Sequence, residues 1–202
     1  MRLFDDSGDY RTFVDCVHEA FTQTSVEIFA FCIMPNHFHL VLRPAGDRDL
    51  TQFMRLMTMR HSKRWHRRRG SVGGGAVYQG RFRAFPIQTD RYFLTACRYV
   101  EANPLRARLV QRAEDWEWSS LFQRVKNCNT LPAAAWPILQ PANWTELVNA
   151  SQKAREIREI RRSARSDTPL GTTDWAAKTA ALLGKDAALR RPGPRARTSG
   201  VN

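Results

Sequence analysis

Closely spaced cysteines are missing from this chain of 202 residues. The cysteines that are present are widely scattered, at Cys16, Cys32, Cys97 and Cys128. Because there is no C-x-x-C pair, the sequence indicates neither a zinc module nor a disulfide framework, and we predict reduced thiols that are mostly buried. The pattern argues against a disulfide-stapled secreted domain.

Long apolar runs are also missing. The longest, Ile28 to Met34, is far shorter than the roughly 20 residues that a membrane-spanning helix needs. The N-terminus carries Asp5 and Asp6 where a secretory signal would have a basic start followed by an apolar stretch. We therefore predict a cytoplasmic protein without a membrane partner.

Acidic residues are scarce, with 19 Asp and Glu against 32 Lys and Arg, a formal charge of +13. The stretch from Thr51 to Thr89 contains nine Lys or Arg and no acid. An excess of this size indicates a polyanionic partner, with nucleic acid as the first candidate, although the helical part could also be a solvated basic face. Arg81 and Arg83 flank Phe82, and this pattern suits contacts of the arginines with a nucleic-acid backbone combined with stacking of the phenylalanine on a base. The predicted DNA-binding residues of this stretch are Arg60, Lys63, Arg64, Arg67, Arg68, Arg81 and Arg83.

Apolar spacing predicts a chain of mixed helical and extended segments. Tyr10 to Phe21 has the stripe of an amphipathic helix, and two extended runs, residues 25–34 and 37–43, are separated by Pro35-Asn36. The remaining predicted elements are a helix over 49–69, a glycine-rich loop over 70–75, a strand pair over 76–87, a helix over 91–102, a helix opening at Asn143 and a helix over 175–183. We expect a main domain over 1–126, a linker over 127–142 and a basic helical C-terminal extension and tail over 143–202.

Two histidines occupy alternate positions on the second predicted strand. Since side chains two residues apart share one face of a strand, His37 and His39 should point together, while Phe38 points into the core. Two imidazoles on an open face can supply two nitrogen ligands to a metal ion. An isolated His-x-His can also arise by chance, so the surrounding sequence has to decide.

A tyrosine and an amide lie four residues apart near the end of the helix predicted over 91–102. Tyr99 and Asn103 could therefore face the same way, and Tyr92, two turns earlier, shares that face. A phenol becomes a nucleophile when its proton is removed or its target phosphate is polarised by a metal. Spacing alone allows either tyrosine in that role, and each could equally be a half-buried structural residue.

Several blocks of the sequence together resemble a known family. They are Met34-Pro35-Asn36-His37-Phe38-His39-Leu40-Val41, Gln79-Gly80-Arg81-Phe82, Arg98-Tyr99-Val100-Glu101-Ala102-Asn103-Pro104-Leu105-Arg106-Ala107 and Glu114-Asp115-Trp116-Glu117-Trp118-Ser119-Ser120-Leu121. These blocks resemble the single-tyrosine HUH transposases, in particular the REP-associated tyrosine transposase branch. The resemblance covers nearly the whole chain.

The resemblance implies an α+β fold, with a ferredoxin-like antiparallel sheet and helices on one face. It implies that His37 and His39 bind Mg²⁺ or Mn²⁺, that Tyr99 is the nucleophile and that Asn103 is the third metal ligand or its near neighbour. Glu101 stays open as a helper to the metal. Arg98 and Arg106 of the same block join the predicted DNA-binding residues.

The resemblance also implies an activity. Tyr99 is expected to attack single-stranded DNA, leaving a 5′-phosphotyrosyl link and a free 3′-hydroxyl. The expected substrates are hairpins of repetitive extragenic palindromes, bound by a monomer or homodimer at the bacterial nucleoid. Members of this branch are expected to carry a strand ahead of the Phe4–Asp6 region that this sequence lacks. The alternative function is therefore a catalytically inactive, domesticated protein that binds nucleic-acid hairpins.

Overall fold

Two antiparallel strands carry the histidine pair in a computed structural model that describes residues 2–88 and 91–184. Strand β1, Val26–Met34, pairs with β2, His37–Pro44, so that Cys32 lies opposite His39. Strand β1 is buried almost throughout, while β2 is only partly covered. The predicted α+β class and its antiparallel pair are confirmed.

Two compact units divide the chain. The first spans Met1–Phe82 and Thr89–Lys153, and the second spans Arg83–Gln88 and Ala154–Asn202. In the ranges 2–88 and 91–184, no helix has both the length and the apolar character required to cross a membrane.

Helices α1, Ser7–Phe21, and α2, Asp49–Arg68, pack beside the sheet in the first unit. Their apolar faces meet the strands through fully buried side chains such as Phe13 and Phe53. Burying a side chain of this size contributes about 1.5–3 kcal/mol. Both helices follow the stripes expected from the sequence, because each buries one face against a sheet.

Helix α3, Arg91–Glu101, follows and lies against both strands. It stops at Ala102, and a short helix α4, Asn103–Arg106, begins with Pro104 in its first turn. Proline is tolerated there because the first helical N–H groups have no partner within the helix. The α3–α4 break therefore falls where the sequence predicts it. The later elements are a 3-10 helix at Ala113–Asp115, α5 at Ser120–Lys126 and α6 at Trp144–Asn149.

The segment predicted as a linker lies along β1 instead. The N–H of Ala134 donates to the carbonyl of Ile28 at 2.8 Å, and the indole N–H of Trp136 donates to the carbonyl of Phe29 at 2.9 Å. Leu131 is fully buried. The described part of the first unit continues to Lys153, beyond the expected boundary at residue 126, because this segment satisfies backbone groups at the edge of β1.

The strand pair predicted over 76–87 is wrong. In the part of the chain that the structure describes, these residues form no strand, only an isolated bridge between Ile87 and Leu170. Gly80 has φ of 76°, outside the extended region, and Pro86 has no N–H to donate to a ladder.

The second unit contains α7, Ala154–Ser166, and α8, Thr173–Leu182. Its short extended piece is held by Leu170, whose N–H donates to Pro86 and whose carbonyl accepts from Gln88 at 2.9 Å. The helix predicted over 175–183 is confirmed as α8. The predicted basic tail beyond residue 184 lies outside the described residues.

Candidate active site

The two imidazoles on β2 converge as strand geometry predicts. Nε2 of His37 and Nε2 of His39 are 3.0 Å apart, with the ring planes perpendicular. Nδ1 of His37 is 2.7 Å from Oδ1 of Asn36. Because an amide oxygen only accepts, Nδ1 of His37 carries the proton and Nε2 presents its lone pair. Sequence reasoning did not single out Asn36 as a partner of His37.

Both histidines are held in the neutral form. Burial lowers the pKa of His39 to about 3, and the nearby charges of His37 and Arg106 act in the same direction. Burial also lowers the pKa of His37. A neutral imidazole is the form that binds metal, so the pair is ready to act as ligands at neutral pH.

The pair has geometry suited to one octahedral cation. Adjacent ligands about 2.1 Å from such an ion are about 3.0 Å from each other, which matches the separation of the two Nε2 atoms. Within residues 2–88 and 91–184, no group of three or more His, Cys, Asp or Glu side chains is arranged to hold a metal ion.

Helix α3 brings Tyr99 to this pair. The ring of Tyr99 meets the ring of His39 edge to face, with 6.0 Å between centroids. Tyr99 is half-buried. The hydroxyl of Tyr92 accepts a hydrogen bond from Arg91 at 2.7 Å, and seven residues of helix separate it from Tyr99 by about 10 Å along the axis. The geometry therefore favours Tyr99 over Tyr92.

Asn103 lies next to the site but is already hydrogen-bonded. Its Oδ1 accepts from Nη2 of Arg106 at 2.8 Å, and its Nδ2 donates to the carbonyl of Val100 at 3.3 Å. An ion bound at this oxygen would meet the guanidinium charge of Arg106. Asn103 as the third ligand stays a prediction, in which the ion would bind the second lone pair of Oδ1 while Arg106 keeps its hydrogen bond to the same oxygen.

Glu101 has a structural role in the core. It is fully buried, and one carboxylate oxygen accepts from Ser120 and Arg124. The other oxygen accepts from the indole N–H of Trp144 at 2.7 Å. Both oxygens are engaged on the side of α5 and α6, so the geometry gives no support to Glu101 as a helper to the metal.

Three of the five basic residues predicted on α2 face acids in α1 or just before it. Arg64 pairs with Glu19 at 2.5 Å, and Arg60 approaches the same carboxylate at 3.4 Å. Arg68 pairs with Asp9 at 3.0 Å and with Asp6 at 3.1 Å. The neighbouring Arg69, which the sequence did not single out, binds Asp5 and Asp9 at 2.6 Å. These cations are partly neutralised within the fold.

The other predicted DNA-binding residues are distributed over α2, the loop after it, α3 and the second unit. Lys63 and Arg67 line a groove between α2 and the loop that follows it. Arg81 is exposed, and Arg98 donates to the carbonyl of Ala150 at 2.9 Å. In the second unit, Arg83 donates to the carbonyl of Arg165 at 2.6 Å. Within the described part of the first unit, Arg106 is the member of the predicted basic set that the structure joins to Tyr99 and His39.

Comparison with known families decides the identity. The family model described as "Transposase IS200 like" matches residues 2–103, which include both histidines, Tyr99 and Asn103. The chain belongs to the IS200-like transposase family. A Haemophilus influenzae protein provisionally named a REP-associated tyrosine transposase is 27% identical over 138 residues, covering 61% of this chain and 78% of that protein. No solved structure matches the chain.

Membership confirms the resemblance seen in the sequence motifs. A transposase family implies an enzyme that cuts DNA, and transposases of the HUH kind generally work with a divalent metal. The two imidazole nitrogens that face each other on β2 are of a type that can bind such an ion.

Proposed function

We propose that this IS200-like transposase cleaves and rejoins single-stranded DNA, with Tyr99 as nucleophile and a divalent ion held by His37 and His39. The observation that carries the proposal is the contact of Tyr99 with His39, whose Nε2 atom lies 3.0 Å from that of His37. A phenol, two neutral imidazoles and a guanidinium meet at one point of a DNA-processing fold.

The reaction is a transesterification in two reversible steps. The Tyr99 oxygen, once its proton has passed to solvent, attacks a backbone phosphorus atom. The bond from phosphorus to the 3′ oxygen breaks, and that oxygen takes up a proton to become a free 3′-hydroxyl. The products are this hydroxyl and a 5′-phosphotyrosyl link, and attack by a 3′-hydroxyl on the link rejoins a strand. No external energy source is needed because a phosphodiester is exchanged for a phosphodiester.

His37 and His39 would hold Mg²⁺ or Mn²⁺, with Asn103 as the proposed third ligand. When bound, the ion polarises the phosphate and offsets the charge that develops on it. Imidazole donors suit Mn²⁺ better than Mg²⁺, which prefers oxygen. Asn36, which accepts from Nδ1 of His37, keeps that ring in the tautomer required.

The proposed substrate is a hairpin with a single-stranded flank, of the kind formed by repetitive extragenic palindromes. The formal charge of +13 supports a polyanionic substrate, and the name of the Haemophilus influenzae relative refers to REP elements. The protein would act on it as a monomer or homodimer.

The test is covalent capture on a hairpin oligonucleotide labelled at its 3′ end, so that the fragment joined to the tyrosine keeps the label. With Mn²⁺, the wild-type chain should give a labelled band that survives denaturing electrophoresis. Tyr99→Phe should abolish this band, and Tyr92→Phe is the matched control that should keep it. Loss of the band in Tyr92→Phe, with retention in Tyr99→Phe, would show that Tyr92 and not Tyr99 is the nucleophile.

The histidine pair is tested on the same hairpin. His39→Ala should remove the covalent band while changing the Kd for the hairpin less than about threefold, because base and backbone contacts dominate affinity. If wild-type protein binds hairpins tightly, with strong salt dependence, yet never forms the band with Mg²⁺ or Mn²⁺, the chain is a hairpin-binding protein without catalysis.

A further inference from the structure

A groove of about 680 Å³ lies between α2 and the loop that follows it, and we call it the α2 groove. Its basic lining residues are Arg55, Lys63 and Arg67, and its apolar lining includes Met59, Val72 and Val77. None of these side chains belongs to the candidate active site. The volume lies within the range of about 300–1,000 Å³ that is usual for small-ligand sites.

The cations of the groove form one stripe of α2. Residues 55, 59, 63 and 67 are four apart and therefore lie on one face of the helix. The adjacent stripe at 60, 64 and 68 forms ion pairs with the acids of α1. Among the described residues, Arg55, Lys63 and Arg67 form no ion pair, and no acidic side chain lines the groove. The positive charge of α2 is therefore concentrated on the groove side.

The loop wall of the groove is held in place by histidines. His66 contacts Ser71 Oγ at 2.9 Å through Nδ1 and the carbonyl of Gly75 at 3.0 Å through Nε2. Further along, the hydroxyl of Tyr78 lies 2.6 Å from Nδ1 of the buried His61. Gly75 has φ of 96°, which an L side chain would strain. These contacts give the loop a defined shape despite its glycine content.

Apolar side chains inside a basic rim remain accessible in the groove. Val72 is 81% exposed and Met59 is 39% exposed. A planar base offers an apolar face and its phosphates offer negative charge, so an unpaired nucleotide complements both features. A paired stem would present only phosphates, because its bases are stacked inside.

We propose that the α2 groove binds an unpaired nucleotide of the DNA substrate, with the base against Met59 and Val72 and the flanking phosphates at Arg55, Lys63 and Arg67. The proposal deepens the proposed function, on which it rests for the choice of DNA as ligand. In this proposal the loop after α2 binds single-stranded DNA through residues that are not part of the candidate active site.

The test uses the full chain without metal and follows the anisotropy of two labelled probes, a ten-residue oligothymidine and a blunt duplex of equal length. Lys63→Gln should weaken oligothymidine binding about fivefold and reduce its salt slope by about one. Lys126→Gln removes the same charge from the exposed end of α5, outside the groove, and should change the Kd less than about twofold. Equal losses in the two variants would overturn the proposal, since only net charge would then matter.

The base contact is tested by Met59→Ser, which leaves the charge unchanged. We expect about threefold weaker oligothymidine binding, an unchanged salt slope and unchanged duplex binding. An unchanged Kd for oligothymidine, or an equal loss for the duplex, would overturn the base contact. Thermal melting of each variant checks that the fold is intact.

Failure of the groove proposal can be distinguished from failure of the proposed function. The covalent band reports on Tyr99 and the histidine pair, whereas the anisotropy of oligothymidine without metal reports on the groove. If wild type forms no covalent band, yet Lys63→Gln and Met59→Ser weaken oligothymidine binding as expected, the cleavage proposal is refuted and the groove proposal stands. If wild type forms the band, yet the groove variants bind oligothymidine like wild type, the groove proposal is refuted and the cleavage proposal stands.

Discussion

The guanidinium of Arg106 stacks on the ring of Tyr99, with Cζ 4.2 Å from the ring centroid. The same group donates to the carbonyl of Tyr99 and, at 2.8 Å, to Oδ1 of Asn103. Arg106 therefore ties the last turn of α3 to α4 across the break at Ala102. We interpret it as a positioning residue for the proposed nucleophile.

Arg106→Lys keeps the charge but loses the planar fork that stacks and donates at the same time. We expect the rate of covalent band formation at saturating hairpin to fall about 10- to 100-fold, with the Kd changed less than about threefold. Arg108→Lys, on an exposed neighbour, should leave both unchanged. An equal loss in rate and affinity would instead make Arg106 a DNA contact, as the sequence predicted.

Glu101→Gln should destabilise the fold without changing the metal requirement. The substitution leaves Arg124 without its buried charge partner, which costs about 3 kcal/mol. Urea unfolding measures this, and Glu27→Gln, on the exposed pair with Arg43, should cost less than about 1 kcal/mol. Unchanged stability with an altered Mn²⁺ dependence would assign Glu101 to the metal.

Acid should destabilise the protein through His61. Burial lowers the pKa of this histidine to about 4, whereas an unfolded histidine has a pKa of about 6.5. As the pH falls below 6.5, His61 is protonated in the unfolded chain but stays neutral in the folded protein. The free energy of unfolding therefore decreases until about pH 4. The His61 share of this loss is about 2 kcal/mol at pH 5.

His61→Gln should remove that share, while His39 contributes a loss of the same sign in both proteins. Urea unfolding at pH 7.5 and pH 5 should therefore show a shallower decline in the variant. His18→Gln, on an exposed histidine, is the control and should follow wild type. Parallel declines in wild type and His61→Gln would refute the assignment.

Local features of the site were predictable from sequence, and features that depend on distant partners were not. Alternation on a strand requires His37 and His39 to share a face. Tyr99 and Asn103, in contrast, lie in separate helices and are linked through Arg106. The basic residues of α2 were read as one DNA-binding set because periodicity says nothing about which stripe meets acids. Glu19 lies 45 residues before Arg64, so only the fold reveals that pair.

The segment over 127–142 was unpredictable for a related reason. Its Pro, Ala and Asn content indicates irregular backbone, which is correct, but irregular backbone can still be packed. Trp136 gives no local sign that its indole N–H will meet the carbonyl of Phe29. Composition predicted the conformation of this segment and not its location.

A chain ending at Lys126 tests where the first unit stops. It should lose solubility and bind a hydrophobic dye, because the edge of β1 and the side chain of Glu101 lose their cover. A chain ending at Lys153 should retain a cooperative thermal transition. If the shorter chain melts as cooperatively, and at the same temperature, the boundary expected from sequence is the correct one.

The contact between Trp136 and Phe29 also has a meaning for biosynthesis. The two residues are 107 positions apart, and at roughly 5 to 20 residues per second the second emerges from the ribosome roughly 5 to 20 s after the first. Throughout that interval the nascent chain presents a nearly all-apolar strand whose outer backbone groups have no cover. Chaperone supply and translation speed, more than final stability, should therefore govern the yield of active protein in the cell.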